Sequence, residues 1–300
     1  MDPIIVLFGL GVGILVGTTG MGGGSIMTPL LILVVGTSPV TAIGTDLAYA
    51  AVTKTVGGWR HLKAKTVDMG VVLWLAVGSV PGALIGVWVL HRLESALGAN
   101  FDTVILWLLA GALLLTSGAV LYRALFVADA AGRERETVQF TRRGKIGTVV
   151  FGLTIGIVLG VTSAGSGSLI AVGLIIAYRL TPLRVVGTDV AHAALLLWFA
   201  AAAHMLSGNV DFALAANILV GSVPGVWLGV HFATRLPAQG LRPLLGVVLL
   251  AAGLGLITKA GAEIPAAAIV GAPLAVGVMA YTVHRVRPPL NAAAAPAGTS

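Results

Sequence analysis

FGLGVGILVGTTGMGGGS, residues 8–25, returns as FGLTIGIVLGVTSAGSGS at residues 151–168. From Phe8 and Phe151 onward, two segments of roughly 85 residues align without a gap at a constant offset of 143. Gly44-Thr45-Asp46 falls on Gly187-Thr188-Asp189, His61 on His204, Asp68 on Asp211, and GSVPGALIGV (78–87) on GSVPGVWLGV (221–230). About a third of the paired positions are identical, and they are mostly Gly, Pro, Thr, Asp and His rather than the aliphatic residues any membrane helix supplies. What has been duplicated is a pattern of helix interruptions. That is the sequence mark of a bundle whose broken helices line a solute path, as in secondary transporters.

Composition supplies the setting. With 57% hydrophobic and 10% charged residues and a mean hydropathy of +1.01, the apolar runs are too many to hide in a soluble core of 300 residues. The sequence therefore predicts an all-α polytopic membrane protein. The net charge of +7 does not describe a nucleic-acid partner, because the basic residues sit in short segments between apolar spans. There are no cysteines, so disulfides and thiolate metal sites are excluded, and no His-Glu-x-x-His pair points to a metal. No cofactor is expected. The start, MDPIIVLFGLGVG, lacks a basic leader and reads as a retained first membrane segment.

Apolar segments are expected near 4–19, 26–36, 42–58, 69–90 and 101–122, then 146–162, 168–178, 185–203, 212–233, 241–258 and 264–283. They divide the chain into a first transmembrane repeat (1–122), a charged cytoplasmic connector (123–145), a second repeat (146–284) and a low-complexity, disordered tail (285–300). The segments flanking GMGGGS and SAGSGS are short for a bilayer that needs about 20 helical residues. They suit broken or re-entrant helices that turn back at the Gly-rich sequences.

Charge relates the repeats. WRHLKAK (59–65) carries Arg60, Lys63 and Lys65, whereas its counterpart AHMLSGN carries no full charge; one loop earlier GTSPVT is uncharged and RLTPLR carries Arg179 and Arg184. Under the positive-inside rule, equivalent loops then face opposite sides of the membrane, so the two repeats are expected to have inverted topology. The same orientation places 123–145, Arg235, Arg242 and the terminal HRVR in the cytoplasm of a multi-pass protein of the cytoplasmic membrane.

The site follows from the interruptions. Irregular backbone is tolerated at membrane depth where it lines a cavity. Gly22, Gly23, Gly24 and Ser25 in one half, and Gly165, Ser166, Gly167 and Ser168 in the other, would offer free N–H groups and hydroxyls as an anion cradle. The alternative is that these glycines only permit close helix packing, which is the better reading of the ladders Gly9, Gly13, Gly17 and Gly152, Gly156, Gly160. Thr45 and Thr188 join the cradle as substrate-binding candidates. Asp46 and Asp189 are candidates for proton coupling or for helix capping, with His192 one turn past Asp189 as a proton partner, and Asp46 could be neutralised by Lys54. His61 and His204, about four turns beyond the aspartates, are expected near a membrane surface in gating or structural roles. Pro81 and Pro224 should kink their helices.

GMGGGSIMTPLLI, AIGTDLAYAAVTKTVGGWRHLKAKTVD and SVPGALIG resemble the sulfite/sulfonate exporter family typified by TauE and SafE, also called the 4-toluene sulfonate uptake permease family. The resemblance runs from about residue 5 to about 257. It implies a membrane permease that moves sulfur-containing or organic anions, often outward. The family's motifs map onto Gly22, Gly23, Gly24, Ser25, Thr45 and Asp46 and onto Gly165, Ser166, Gly167, Ser168, Thr188 and Asp189. Two features depart from it: Pro29 has Val172 as its counterpart, and the aspartates are acidic where an anion contact would favour a neutral residue. A secondary carrier for a small anion is the leading expectation, and an anion channel using the same cradles is the alternative. An intramembrane serine enzyme built on Ser166 with His192 or His204 is disfavoured, because the counterpart of Ser166 is Gly23. The partners expected are the anion and the lipid bilayer, and homo-oligomerisation is left open.

Overall fold

The helices over 39–63 and 182–206 start and stop at the same offset as the sequence repeat. The computed structural model describes residues 3–19, 24–126, 137–164, 167–233 and 238–286. Its helices are α1 (Pro3–Thr19), α2 (Gly24–Leu30), α3 (Pro39–Lys63), α4 (Met69–Leu97), α5 (Phe101–Phe126), α6 (Arg142–Thr162), α7 (Ser168–Gly173), α8 (Pro182–Leu206), α9 (Phe212–Ala233), α10 (Ala238–Lys259) and α11 (Ala266–Val286). No strand occurs among the described residues. Helices α5 and α6 reach into the stretch expected as connector, and residues 127–136 and the tail from 287 lie outside the described residues.

Local chemistry sets these boundaries. Helices α3 and α8 open on Pro39 and Pro182, where a proline's missing N–H costs nothing, after Ser38 and Thr181. Both end in the same reciprocal cap. Thr66 N–H bonds to His61 O and Lys65 N–H to Leu62 O, while Asn209 bonds to His204 O and Gly208 to Met205 O. The residue this cap holds left-handed is Gly208 in one copy (φ 73°) and Lys65 in the other (φ 56°). The expected segments 26–36 and 168–178 each divide into a short α-helix and a π-helical turn, Leu31–Val35 and Leu174–Tyr178. Each composite piece is about 18 Å long, well short of the ~30 Å hydrocarbon layer. Helices α4 and α9 continue through Pro81 and Pro224.

Helices of one copy pack on helices of the other, in pairs that the repeat maps onto one another. Helix α1 lies on α9 and α4 on α6, while α3 lies on α8 and α5 on α10. The pairing extends to single atoms. A Cβ added to Gly9 would stand 2.5 Å from Ile218 O, and one added to Gly152, the counterpart of Gly9, 2.5 Å from Leu75 O, the counterpart of Ile218. The glycine ladders are therefore packing surfaces on which backbone meets backbone. Along α3 and α8 contacts run in opposite order: Thr45 lies beside Asp211, beyond the end of α8, and Thr188 beside Asp68, beyond the end of α3. Equivalent helices α3 and α8 thus pack antiparallel.

Apolar side chains such as Leu7, Trp88, Leu115, Val150 and Trp227 cover the outside. Among the described residues, four stretches are long and apolar enough to cross a membrane: Met69–Tyr122, which holds α4 and α5, Arg142–Thr162, Leu183–Leu206 and Phe212–Gly229. The protein is an all-α, multi-pass membrane protein. One end of the bundle gathers basic segments, because Arg184 Nη1 donates to Val67 O (3.2 Å), Val138 N–H to Asp68 Oδ2 (2.9 Å), and Lys145 Nζ stands 4.9 Å from the centre of the Trp74 ring.

Candidate functional site

The two G-T-D sequences sit about two turns inside α3 and α8, not at their starts. Capping of those helices by Asp46 and Asp189 is thereby corrected: the N-cap positions belong to Ser38 and Thr181. What the motif does instead is dock a loop of the other copy. A side chain on Gly187 would collide with Thr66 O at 2.5 Å, and one on Gly44 with Asn209 O. Next to each glycine a threonine hydroxyl accepts a backbone N–H, Asp211 N–H on Thr45 Oγ1 at 3.0 Å and Asp68 N–H on Thr188 Oγ1 at 2.9 Å. These aspartates in turn cap α9 and α4, taking Leu214 N–H at 2.9 Å and Val71 N–H at 3.1 Å. Thr45 and Thr188, substrate candidates in the sequence, thus have their acceptor oxygens engaged in joining the copies.

Asp46 and Asp189 follow directly and are buried, but their surroundings differ. Asp46 Oδ2 accepts Thr28 Oγ1–H from α2 at 2.6 Å and Ser163 Oγ–H from the C-cap of α6 at 2.7 Å. One carboxylate therefore joins the helix that follows the first Gly-rich turn to the residue that enters the second. Its other oxygen, Oδ1, has no hydrogen-bond partner among the described residues. Asp189 instead faces a cation: Lys54 Nζ lies 3.9 Å from Asp189 Oδ2. The expected neutralisation of Asp46 by Lys54 is corrected accordingly. Lys54 projects from α3 onto α8, because those two helices cross.

His192 is buried and shares a proton with Ser79 across 2.8 Å from Nε2. At the counterpart position Tyr49 is buried close to Ser222. His204, in the last turn of α8, is fully buried in the bundle with its Nε2 3.0 Å from Gly160 O. His61 is half-buried near the end of α3, its Nδ1 2.9 Å from Thr66 Oγ1. Ser25 is buried at the start of α2, Gly24 opens that helix, and Gly167 and Ser168 stand at the start of α7. Gly22, Gly23, Gly165 and Ser166 lie outside the described residues. The sequence reading missed Thr28, Ser79 and the real partner of Lys54. The repeat itself carried a signal for two of them, since Thr28 is matched by Ala171 and Lys54 by Leu197. By contrast, the groove between α1 and α9 is lined by apolar residues, Val6, Leu10, Val220 and Gly221 among them, and offers no such side-chain chemistry.

Residues 5–256 match the family described as Sulfite exporter TauE/SafE. The chain belongs to the TauE/SafE family. It is 38% identical over 257 residues to the "Probable membrane transporter protein YjnA" of Bacillus subtilis (strain 168), covering 86% of this chain and 100% of that protein. A second Bacillus subtilis protein, "Probable membrane transporter protein YdhB", is 29% identical over 85% of this chain and 98% of its own. A "Probable membrane transporter protein" of Xylella fastidiosa (strain Temecula1 / ATCC 700964) is 31% identical over 89% and 99%. No solved structure matches the chain at a significant level. As a TauE/SafE member the protein is a membrane transporter and not an enzyme.

Proposed function

We propose that this TauE/SafE protein is a secondary carrier for a small anion, sulfite or a sulfonate, in the cytoplasmic membrane. The repeats have inverted topology, the short composite helices are re-entrant, and the anion binds between the two Gly-rich turns as the halves rock to expose it alternately. The observation that carries the reading is Asp46, bonded at once to Thr28 beside one turn and to Ser163 at the mouth of the other, in a fully buried place. N–H groups at the Gly-rich sequences on either side of this carboxylate would need a partner inside the membrane, and an anion would supply one. The antiparallel packing of α3 on α8 supports the inversion, and the basic segments gathered at one end support a cytoplasmic face there.

An anion beside carboxylates needs them neutral or paired, so proton movement on Asp46, Asp189 or His192 would set the direction of transport. The test is uptake into proteoliposomes of sulfite, sulfate, sulfoacetate, taurine and acetate at two imposed pH gradients. The reading expects saturable uptake with counterflow of at least one sulfur oxyanion or sulfonate. Flux that never saturates and shows no counterflow would make the protein a channel, and no flux of any of the five would remove the anion assignment.

A further inference from the structure

Lys54 is the one buried lysine or arginine among the described residues, and the repeat architecture does not require it. Its counterpart at the same point of α8 is Leu197, equally buried. The two-fold arrangement therefore accepts an aliphatic side chain there, and a charge has been added on one side only. Charge compensation is divided to match. Asp46 accepts at Oδ2 from the hydroxyls of Thr28 and Ser163, whose counterparts Ala171 and Gly20 have none, whereas the counterpart aspartate, Asp189, has the lysine.

The lysine is held but not saturated. Its separation of 3.9 Å from Asp189 Oδ2 is an ion pair beyond hydrogen-bond distance, and its ammonium has no hydrogen-bond partner among the described residues. An ammonium has three donors, and leaving all of them unused in a buried place is costly unless a ligand takes them. One turn past Asp189, His192 is buried with Nδ1 unpartnered among the described residues, a donor when Nε2 accepts from the Ser79 hydroxyl. A small oxyanion, with several acceptor oxygens and a negative charge, is the ligand class that meets both needs.

We propose that Lys54 is the residue that meets the transported anion, and that Asp189 is the internal counter-charge holding Lys54 while no anion is bound. The proposal rests on the anion-carrier reading and adds to it a specificity residue in one repeat only. Asp189 and the anion compete for one cation. The exchange keeps the buried charge balanced in the empty carrier and confines tight binding to solutes that carry a negative charge.

The experiment measures wild-type protein, Lys54→Leu, Lys54→Arg and Asp189→Asn in detergent and in proteoliposomes, with sulfite, sulfoacetate, taurine and acetate as probes. Readouts are thermal stabilisation by each probe and the KM and kcat of uptake. Lys54→Leu installs the residue the other repeat already uses. It should keep the fold, lose stabilisation by the anionic probes and lower kcat/KM about 100-fold, as for truncating one member of a buried charge pair. Lys54→Arg should retain measurable anion binding, and Asp189→Asn should lower KM because the competitor is gone. If Lys54→Leu does not fold, the double variant Lys54→Leu/Asp189→Leu removes both charges together and takes its place.

Lys54→Leu, or the double variant, taking up the anion with wild-type KM would overturn the proposal, as would a raised KM in Asp189→Asn. Wild-type protein that neither binds nor carries any probe would instead remove the carrier reading beneath it.

Discussion

Thr55 and Trp198 occupy the same position in the two copies and touch each other, Trp198 Nε1–H donating to Thr55 Oγ1 over 2.8 Å. Two equivalent residues can meet in this way only where the axis relating the copies passes between their helices. Around that point contacts recur in pairs, from Thr45 with Asp211 and Thr188 with Asp68 to the glycine ladders on either flank. The contacts of the paired aspartates do not: Asp46 meets two hydroxyls and Asp189 meets Lys54.

The ladders should be intolerant of bulk in a position-specific way. Gly152→Val places a side chain on Leu75 O, so backbone must move, whereas a side chain at the exposed Gly11 meets nothing within 4 Å. The expected result is a loss of about 1–3 kcal/mol for Gly152→Val and little change for Gly11→Val, read by thermal unfolding in detergent. Equal effects would mean that α4 and α6 are not in backbone contact.

The docked loops predict a graded pair of effects. Thr45→Val and Thr188→Val keep the shape of the side chain but remove the acceptor from the N–H of Asp211, an exposed residue, and of Asp68, a buried one. Thr188→Val should cost about 1–3 kcal/mol of stability and Thr45→Val less, because water can reach Asp211 in place of the lost hydroxyl. Unfolding of both variants in one detergent checks this, and a larger loss in Thr45→Val would contradict it.

Lys65 occupies the left-handed position that Gly208 fills in the other copy. Lys65→Gly should therefore stabilise the fold by about 1 kcal/mol, through relief of the Cβ clash that a left-handed backbone imposes. A rise in melting temperature is the expected reading.

Asp46→Asn keeps an oxygen that can accept from Thr28 and Ser163 but cannot carry a proton. Counterflow of the anion should persist while accumulation driven by an imposed pH gradient is lost. Measured accumulation equal to wild type would reduce Asp46 to a structural acceptor.

Much of the helix layout was legible in the sequence, because it depends on local features repeated at a fixed offset: the apolar spans, Pro39 and Pro182, and the glycine ladders. Long-range pairing was not. Spacing along α3 puts Lys54 two turns from Asp46, and only the crossing of α3 with α8 brings it to Asp189. The G-T-D motif looked like a cap because its residue types cap helices; its use as a docking seat depends on a loop that arrives from the other copy. Thr28 is one hydroxyl in an apolar run and acquires meaning only opposite Asp46.

Inversion of the two copies is the claim from which the shared site follows, and the absence of cysteine makes it directly measurable. Ala64 and Ser207 are equivalent, exposed C-cap residues of α3 and α8. Single variants Ala64→Cys and Ser207→Cys, labelled with a membrane-impermeant maleimide from either side of sealed cells or vesicles, should react from opposite sides, position 64 from the cytoplasm and position 207 from outside. Labelling of both positions from the same side would contradict the account.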